Sequence, residues 1–245
     1  MQNHNPLWWI VICNVAVYLV LKLVWLLTGD GGGFTCLLAA LVLDSDITDA
    51  LSHPWTMLSY STVQIDFLHL SVNMLWLLCF GMTVKEFWGR RVMLVVFVAG
   101  AVAGALSYLA AHTFVDLPHG QLAGASAAVL SLIGAATVVA PRYRLRVALL
   151  GSLPLWTMAI IGMMCFFSTS PGAFAAHAGG LLAGVAFGAM VRYRRRQVAR
   201  LTRRALMRRE EHNIIITKVR NSGFASLSTK ERLQLFDMSD GYKKQ

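Results

Sequence analysis

Six long apolar runs dominate the chain, and short stretches rich in polar or charged residues separate them. A helix needs about 20 apolar residues to cross about 30 Å of hydrocarbon, and each run is close to that length. The runs predict six transmembrane helices, at residues 7–27, 67–84, 92–111, 123–140, 147–167 and 173–191. The first run has no basic leader and is long for a signal peptide, so we interpret it as a span.

The overall composition agrees with this pattern. With 56% hydrophobic residues, 14% charged residues and a mean hydropathy of +0.57, the chain is too apolar for a water-soluble fold of 245 residues. We therefore expect an all-α membrane protein. Its domains would be a six-helix bundle over residues 1–191, then a basic juxtamembrane segment with a small cytosolic helical tail over residues 192–245.

The charges of the connections alternate along the chain. Basic residues follow the second, fourth and sixth runs, among them Lys85, Arg90, Arg91, Arg142, Arg144 and Arg146. The other connections carry no Lys or Arg and hold Asp30, Asp44, Asp46, Asp49, Asp66 and Asp116. Because basic loops stay in the cytoplasm, both termini are predicted to be cytoplasmic, in an inner or plasma membrane. Lys22, near the outer end of the first run, is expected to snorkel to the interface.

The tail carries most of the basic residues. Fifteen of the 22 Lys and Arg residues follow residue 191, which favours membrane orientation and contact with anionic lipid over nucleic-acid binding. Ile214–Ile216 with Val219 predict a short amphipathic helix that stops near Gly223. Ser228 to Glu231 form a capping-box pattern that opens another helix through Phe236. This tail is interpreted as an interfacial appendage, with a cytosolic partner as the alternative.

The outer connection over residues 32–66 contains an apolar run, Phe34–Leu43, followed by acidic residues. Ten apolar residues are too few to cross the bilayer. We therefore expect a segment that lies flat in the outer leaflet, and not a seventh span.

Four polar side chains fall at one membrane depth. His69 and Asn73 lie in the first two turns of the second span, Ser126 in the first turn of the fourth, and His177 in the second turn of the sixth. All lie within roughly 4 to 10 Å of the outer boundary at 1.5 Å of rise per residue. Singly, such residues often only brace helices. Together, in one layer, they indicate a functional site.

Small residues flank two of these positions. Gly180, Gly184 and Gly188 repeat every four residues in the sixth span, and Gly124, Ala125, Ala127 and Ala128 surround Ser126. Such stripes pack helices closely, so we expect the fourth and sixth spans to bring Ser126 and His177 together. His112 and His119 show no metal-ligand spacing, and no phosphate-binding loop is present, so we expect neither a metal nor another cofactor.

Three motifs in this order resemble the rhomboid family of intramembrane serine proteases, over about residues 50 to 190. His69-Leu70-Ser71-Val72-Asn73 is similar to the family's His-x-x-x-Asn, and Gly124-Ala125-Ser126 to its Gly-x-Ser. Ala176-His177 with Gly180 and Gly184 is similar to its Ala-His-x-x-Gly-x-x-x-Gly. The resemblance implies a six-helix bundle that cleaves transmembrane segments of membrane proteins near the outer leaflet.

The resemblance also implies roles for the matched residues. Ser126 would be the nucleophile and His177 the general base, a dyad without a carboxylate. The backbone N–H of Ser126, with the side chains of Asn73 and His69, would hold the oxyanion. Pro154 is expected to kink the fifth span, which in the family is the proposed gate for substrate entry against the second.

The chain departs from the family pattern at three places. Ala127 replaces the glycine that normally follows the nucleophile, Lys85 stands at the usual glutamate, and Trp55-Thr56 replaces Trp-Arg. A methyl group at Ala127 is expected to crowd the site, so the alternative is a catalytically impaired relative that binds transmembrane helices and guides their folding or turnover. A channel or transporter is a weaker alternative, because the fourth and sixth spans are nearly all apolar below the polar layer.

Overall fold

The computed structural model describes residues 6–29, 32–115, 117–147, 151–167 and 170–242, and the side chains as far as residue 236. Asp30, Asp116 and residues 148–150 of the predicted fifth span lie outside this part. The contacts divide the chain into two units, Met1–Val191 and Arg192–Gln245.

The first unit is built mainly of helices. Its long helices are α1 (Pro6–Thr28), α5 (Phe67–Trp88), α6 (Arg90–Val115) and the first part of α9 (Pro171–Ser222). In the described part of the chain, these four are long and apolar enough to cross a membrane. They confirm long apolar helices at the positions of the first, second, third and sixth predicted spans. Two further apolar helices are shorter, α7 (Ser126–Val139) and α8 (Leu155–Cys165).

Short elements make up the outer connection, with α2 (Gly32–Ala39), α3 (Ile47–Ser52) and α4 (Thr56–Ser59), followed by a 3-10 turn over Tyr60–Thr62. The eight residues of α2 are too few to form a span. Strand β1 (Leu43–Asp44) pairs antiparallel with β2 (Gln121–Leu122), with Leu43 opposite Leu122. The outer connection is thereby tied to the segment that leads into α7.

Helix α7 lies at the centre of the first unit. Eleven consecutive residues from Ser126 to Ala136 are buried, so neighbours surround this helix on every side. Its beginning is three residues later than predicted, because Gly124 has φ +120° and Ala125 is the N-cap residue. It ends at Val139, just before Pro141, as expected near a residue that cannot continue a helix.

The prediction of a helix over residues 147–167 is wrong in its first part. A hairpin of β3 (Arg144–Val147) and β4 (Gly151–Pro154) precedes α8, and Arg144 is paired with Pro154. Pro154 does not kink a helix but caps the start of α8, with φ −70° and ψ 150°. A proline is tolerated there because its missing N–H and its ring lie before the first helical turn and interrupt no intrahelical hydrogen bond.

The helix of the sixth predicted span does not end at residue 191. Helix α9 continues to Ser222, because residues 189–222 contain no Gly or Pro and are rich in Arg, which favours helices. The separate helix expected around Ile214 is therefore part of α9. Its predicted stop is confirmed, since Gly223 follows with φ +76°.

In the second unit, a 3-10 turn over Phe224–Ser226 connects α9 to α10 (Thr229–Tyr242). The predicted capping box is confirmed, because the backbone N–H of Ser228 donates to Glu231 Oε2 at 2.7 Å and that of Glu231 to Ser228 Oγ at 3.4 Å. Lys218 also pairs with Glu231 at 2.9 Å. Ile215 and Leu227 are buried beside these contacts.

Candidate active site

Ser126 is the first residue of α7 and is 5% exposed. The segment before it is held from the outer connection, because the N–H of Gly124 donates to the carbonyl of Tyr60 at 2.9 Å. The hydroxyl of Tyr60 in turn donates to the carbonyl of Ala101 on α6 at 2.8 Å. A helix beginning at Ser126 leaves its first N–H groups without intrahelical acceptors, which creates a site for negative charge.

His177 lies in the second turn of α9, which packs closely on α7. A Cβ atom on Gly180 would overlap the backbone of Ala127, and one on Gly184 would overlap the carbonyl of Ser131. The predicted close packing of these two helices is confirmed. Their approach brings Ser126 Oγ to 2.6 Å from His177 Nε2.

The imidazole of His177 is oriented mainly by packing. Its ring meets that of Phe166 edge to face, with 6.2 Å between the ring centroids. Nδ1 is buried and meets no side-chain acceptor in the part of the chain that the structure describes. The arrangement is thus a serine and a histidine, and among the described residues no carboxylate orients the base as in a triad.

His69, on α5, lies close to Ser126 across the space left open by Gly124. A Cβ atom on Gly124 would lie 2.7 Å from His69 Cε1, 2.9 Å from its Nε2 and 3.7 Å from Ser126 Oγ. A glycine at this position therefore allows the two side chains to approach each other. The turn that carries His69 is capped by Asp66, whose Oδ1 accepts from the His69 N–H at 2.8 Å.

Asn73 lies behind this layer and is fully buried. Its side-chain amide donates to Gln64 Oε1 at 3.0 Å and to the carbonyl of His69 at 3.1 Å. Both amide hydrogens are therefore engaged in this state. Among the predicted site residues, Ser126, His177 and His69 line one cavity, whereas Asn73 supports the turn of His69.

Sequence reasoning missed two residues that are linked to Asn73 by hydrogen bonds, one directly and one through the other. Gln64 lies in the outer connection and Asn14 in α1, and Gln64 Nε2 donates to Asn14 Oδ1 at 2.7 Å. A signal for Asn14 was present, since a carboxamide in the middle of an apolar span is costly to bury without a partner. Nothing in the sequence indicated Gln64 as that partner.

The methyl group of Ala127 does not point into the site. A Cβ atom on Gly104 of α6 would lie 2.6 Å from Ala127 Cβ, so the methyl occupies space that a glycine leaves open on the neighbouring helix. Ala127 itself is 1% exposed. The expected crowding of the site by Ala127 is therefore wrong for this chain, because Gly104 accommodates the methyl.

The site opens into a cavity of about 410 Å³. One wall is formed by α5, through Leu68, His69 and Val72, and the opposite wall by the end of α8, through Cys165 and Phe166. Ser126 and His177 lie between these walls. The described residues include no cluster of three His, Cys, Asp or Glu side chains that is arranged to hold a metal ion.

Two comparisons with known proteins bear on this geometry. The family model described as Rhomboid domain matches residues 51–194, which include every residue that lines the cavity. A comparison with curated proteins finds no match.

Proposed function

Because the chain belongs to the rhomboid family, whose model covers residues 51–194, we propose that it is an intramembrane serine endopeptidase with Ser126 as nucleophile and His177 as base. The observation that carries this proposal is the 2.6 Å separation of Ser126 Oγ and His177 Nε2. Two such groups from different helices, beside a cavity and at a helix N-terminus, are the parts that acyl transfer needs.

The proposed reaction begins with His177 neutral and protonated at Nδ1. Ser126 Oγ–H donates to Nε2, and as Oγ attacks a peptide carbonyl carbon its proton passes to His177. The carbonyl oxygen becomes an oxyanion, which the N–H of Ser126 and the imidazole of His69 stabilise. His177 then gives the proton to the leaving amine, and water hydrolyses the acyl-enzyme by the same steps.

Asn73 is the remaining proposed oxyanion donor. Its amide is already bonded to Gln64 and to the His69 carbonyl, so donation to an oxyanion requires one of these bonds to be released or shared. In the resting state, its support of the His69 turn is the more direct contribution.

The chain is a multi-pass integral membrane protein. We propose six crossings, with α7 and α8 as the central and gate segments, although their helices extend over only about 21 and 17 Å. The basic connections after α5 and α7 and the basic tail place both termini in the cytoplasm under the positive-inside rule. The site then lies near the outer face, in an inner or plasma membrane.

Substrates are proposed to be transmembrane segments that enter between α5 and α8, the two walls of the cavity. Leu68 on α5 and Phe167 beyond α8 are 72% and 73% exposed, as expected for side chains that face lipid or a bound helix. Photo-crosslinkers at Trp156 or Met164 should capture a substrate. Capture only by α1 or α6 would contradict this entry route. In the substrate, a stretch of small, helix-breaking residues near the outer face would expose the peptide bond to attack by Ser126.

The alternative of a helix-binding relative without activity depended on Ala127. Because the Ala127 methyl packs at Gly104, this departure from the family pattern no longer favours an inactive protein. A serine-reactive fluorophosphonate separates the two functions. Labelling of the wild type that is lost in Ser126→Ala and in His177→Ala supports the protease. No labelling of the folded wild type supports the alternative, and persistent labelling of Ser126→Ala excludes Ser126 as nucleophile.

A further inference from the structure

Helix α1 buries few of its side chains in the first unit. Its buried residues are Leu7, Asn14 and Leu21, which repeat every seven positions along one line of the helix. Leu7 packs where Gly81 of α5 leaves space, and Leu21 packs with Val42 and Val63. Asn14, the middle contact, is polar, and it lies outside the residues 51–194 that match the family model.

Asn14 is the first member of a chain of three buried carboxamides. Asn14 and Asn73 are fully buried and Gln64 is 3% exposed. Gln64 Nε2 donates to Asn14 Oδ1 at 2.7 Å, and Asn73 Nδ2 donates to Gln64 Oε1 at 3.0 Å. The chain connects α1, the outer connection and α5.

Backbone carbonyls at both ends fix the direction of this chain. Asn14 Nδ2 donates to the carbonyl of Ile10 at 2.9 Å, and Asn73 Nδ2 donates to that of His69 at 3.1 Å. A carbonyl oxygen only accepts, so Asn14 has to present Oδ1 to Gln64. Gln64 then presents Oε1 to Asn73, and the orientation of each amide follows from that of its neighbour.

We propose that Asn14 is a positioning residue for the reaction, acting through Gln64 and Asn73 on the turn that carries His69. Without Asn14 Oδ1, the Gln64 amide loses the acceptor for its Nε2 group on the α1 side. That hydrogen bond keeps Gln64 Oε1 turned toward Asn73. If the Gln64 amide rotated, its NH₂ group would face the NH₂ group of Asn73. The two donors would repel each other and move the Asn73 side chain away from the His69 carbonyl. This proposal rests on the proposed function, and it adds the first span to the residues that determine activity.

The test is the rate at which a fluorophosphonate labels the full-length protein in detergent. In this reaction the Ser126 Oγ–P bond forms, the P–F bond breaks, fluoride leaves and the serine proton passes to His177. The variants are Asn14→Leu and Gln64→Met, which keep approximate size and remove the hydrogen bonds, and the double variant. Rates are expressed per folded molecule, with thermal unfolding measured alongside.

We expect each single variant to lower the maximal inactivation rate by about tenfold, with the inhibitor's apparent affinity nearly unchanged. The double variant should show the same loss of about tenfold and not the product of two losses, because both changes break one chain. Thr83→Val is the matched control. It removes a buried hydroxyl of α5 that donates to the Cys79 carbonyl, about 15 Å along the helix from Asn73, and should leave the rate unchanged.

Three results would overturn the positioning role while the wild type is still labelled. These are wild-type rates in both single variants, a loss of about a hundredfold in the double variant, or an equal loss in Thr83→Val. Absence of labelling in the folded wild type is distinguishable from these results, since it removes the proposed protease function and the positioning role with it.

Discussion

Helices α7 and α8 are both short and apolar, yet the protein surrounds one and leaves the other largely uncovered. Eleven consecutive residues of α7 are buried, whereas α8 buries only Leu155, Met158, Ala159 and Gly162. The difference lies in side-chain size, because α7 is rich in Ala, Ser and Gly, which allow neighbouring backbones to approach. The nucleophile is therefore on a helix held from all sides, and one wall of its cavity is on a helix held from one side.

The largest expected effect of a substitution is at the contact between α7 and α9. Gly184→Ala places a methyl group on the backbone of Ser131, which cannot move without separating the helices. We expect a loss of about 3 kcal/mol or more in the free energy of unfolding, together with loss of activity. Thermal or denaturant unfolding in detergent measures it.

Gly162→Ala on α8 is the control for that substitution. Its new Cβ would lie 3.0 Å from Cδ1 of Ile133, the end of a flexible side chain. We expect a cost below about 1 kcal/mol. Equal losses at Gly162 and Gly184 would contradict the view that α7 is much more tightly enclosed than α8.

The two faces of α8 provide a second comparison. Met158 is 4% exposed and Met164 is 73% exposed, so the same substitution samples both sides of one helix. Met158→Ala should lower the free energy of unfolding by about 2 kcal/mol because it leaves a cavity, and Met164→Ala should change it by less than about 0.5 kcal/mol. A larger loss for Met164→Ala in unfolding experiments would show that its face is packed against protein.

The pairing of Gly104 with Ala127 tests how the nucleophile's helix tolerates the departure from the family pattern. Gly104→Ala brings a second methyl within 2.6 Å of Ala127 Cβ and should cost about 1 to 2 kcal/mol. In the double variant with Ala127→Gly, part of this loss should return, as a double-mutant cycle measures. Additive losses would mean that the two positions do not share this space.

The smallest expected effect is on the tail, where polar contacts stabilise the start of α10. The Ser228 backbone N–H, and then the Lys218 ammonium, lower the pKa of Glu231 from 4.5 to about 2. Because this pKa is lowered on folding, the contribution is fully present above pH 4.5 and is lost as the pH falls toward 2.

Amide hydrogen-exchange protection of residues 229–236 in the full-length protein should therefore decrease between pH 5 and pH 3. In Glu231→Gln, protection at pH 5 should already be reduced and should change less with pH. Equal pH dependence in both proteins would show that Glu231 does not hold the start of α10.

The sequence predicted the parts of this fold that follow from apolar length and small-residue spacing. Gly180 and Gly184, four residues apart, correctly indicated the α7–α9 contact, because close helix packing needs small residues in one stripe. The long continuation of α9 also follows from the sequence, since residues 189–222 contain no helix breaker. The change from apolar to basic character marks the end of the apolar run and not the end of the helix.

Other features depend on contacts between distant residues. The β3–β4 hairpin replaces the first part of an apolar run, and α8 begins only after Pro154. Periodicity alone does not distinguish strand from helix in such a run. The position of the Ala127 methyl depends on Gly104, 23 residues earlier, and the partner of Asn14 is 50 residues away. No local pattern specifies these pairs.

Cleavage in reconstituted vesicles tests the central claim most directly, that Ser126 and His177 hydrolyse peptide bonds in the membrane. The substrate is a single-pass reporter with small, helix-breaking residues near the outer face, and its fragments are located by mass spectrometry. We predict that the wild-type protein releases a fragment cut in that stretch and that Ser126→Ala and His177→Ala release none. Release of the same fragment by Ser126→Ala at the wild-type rate would contradict the account.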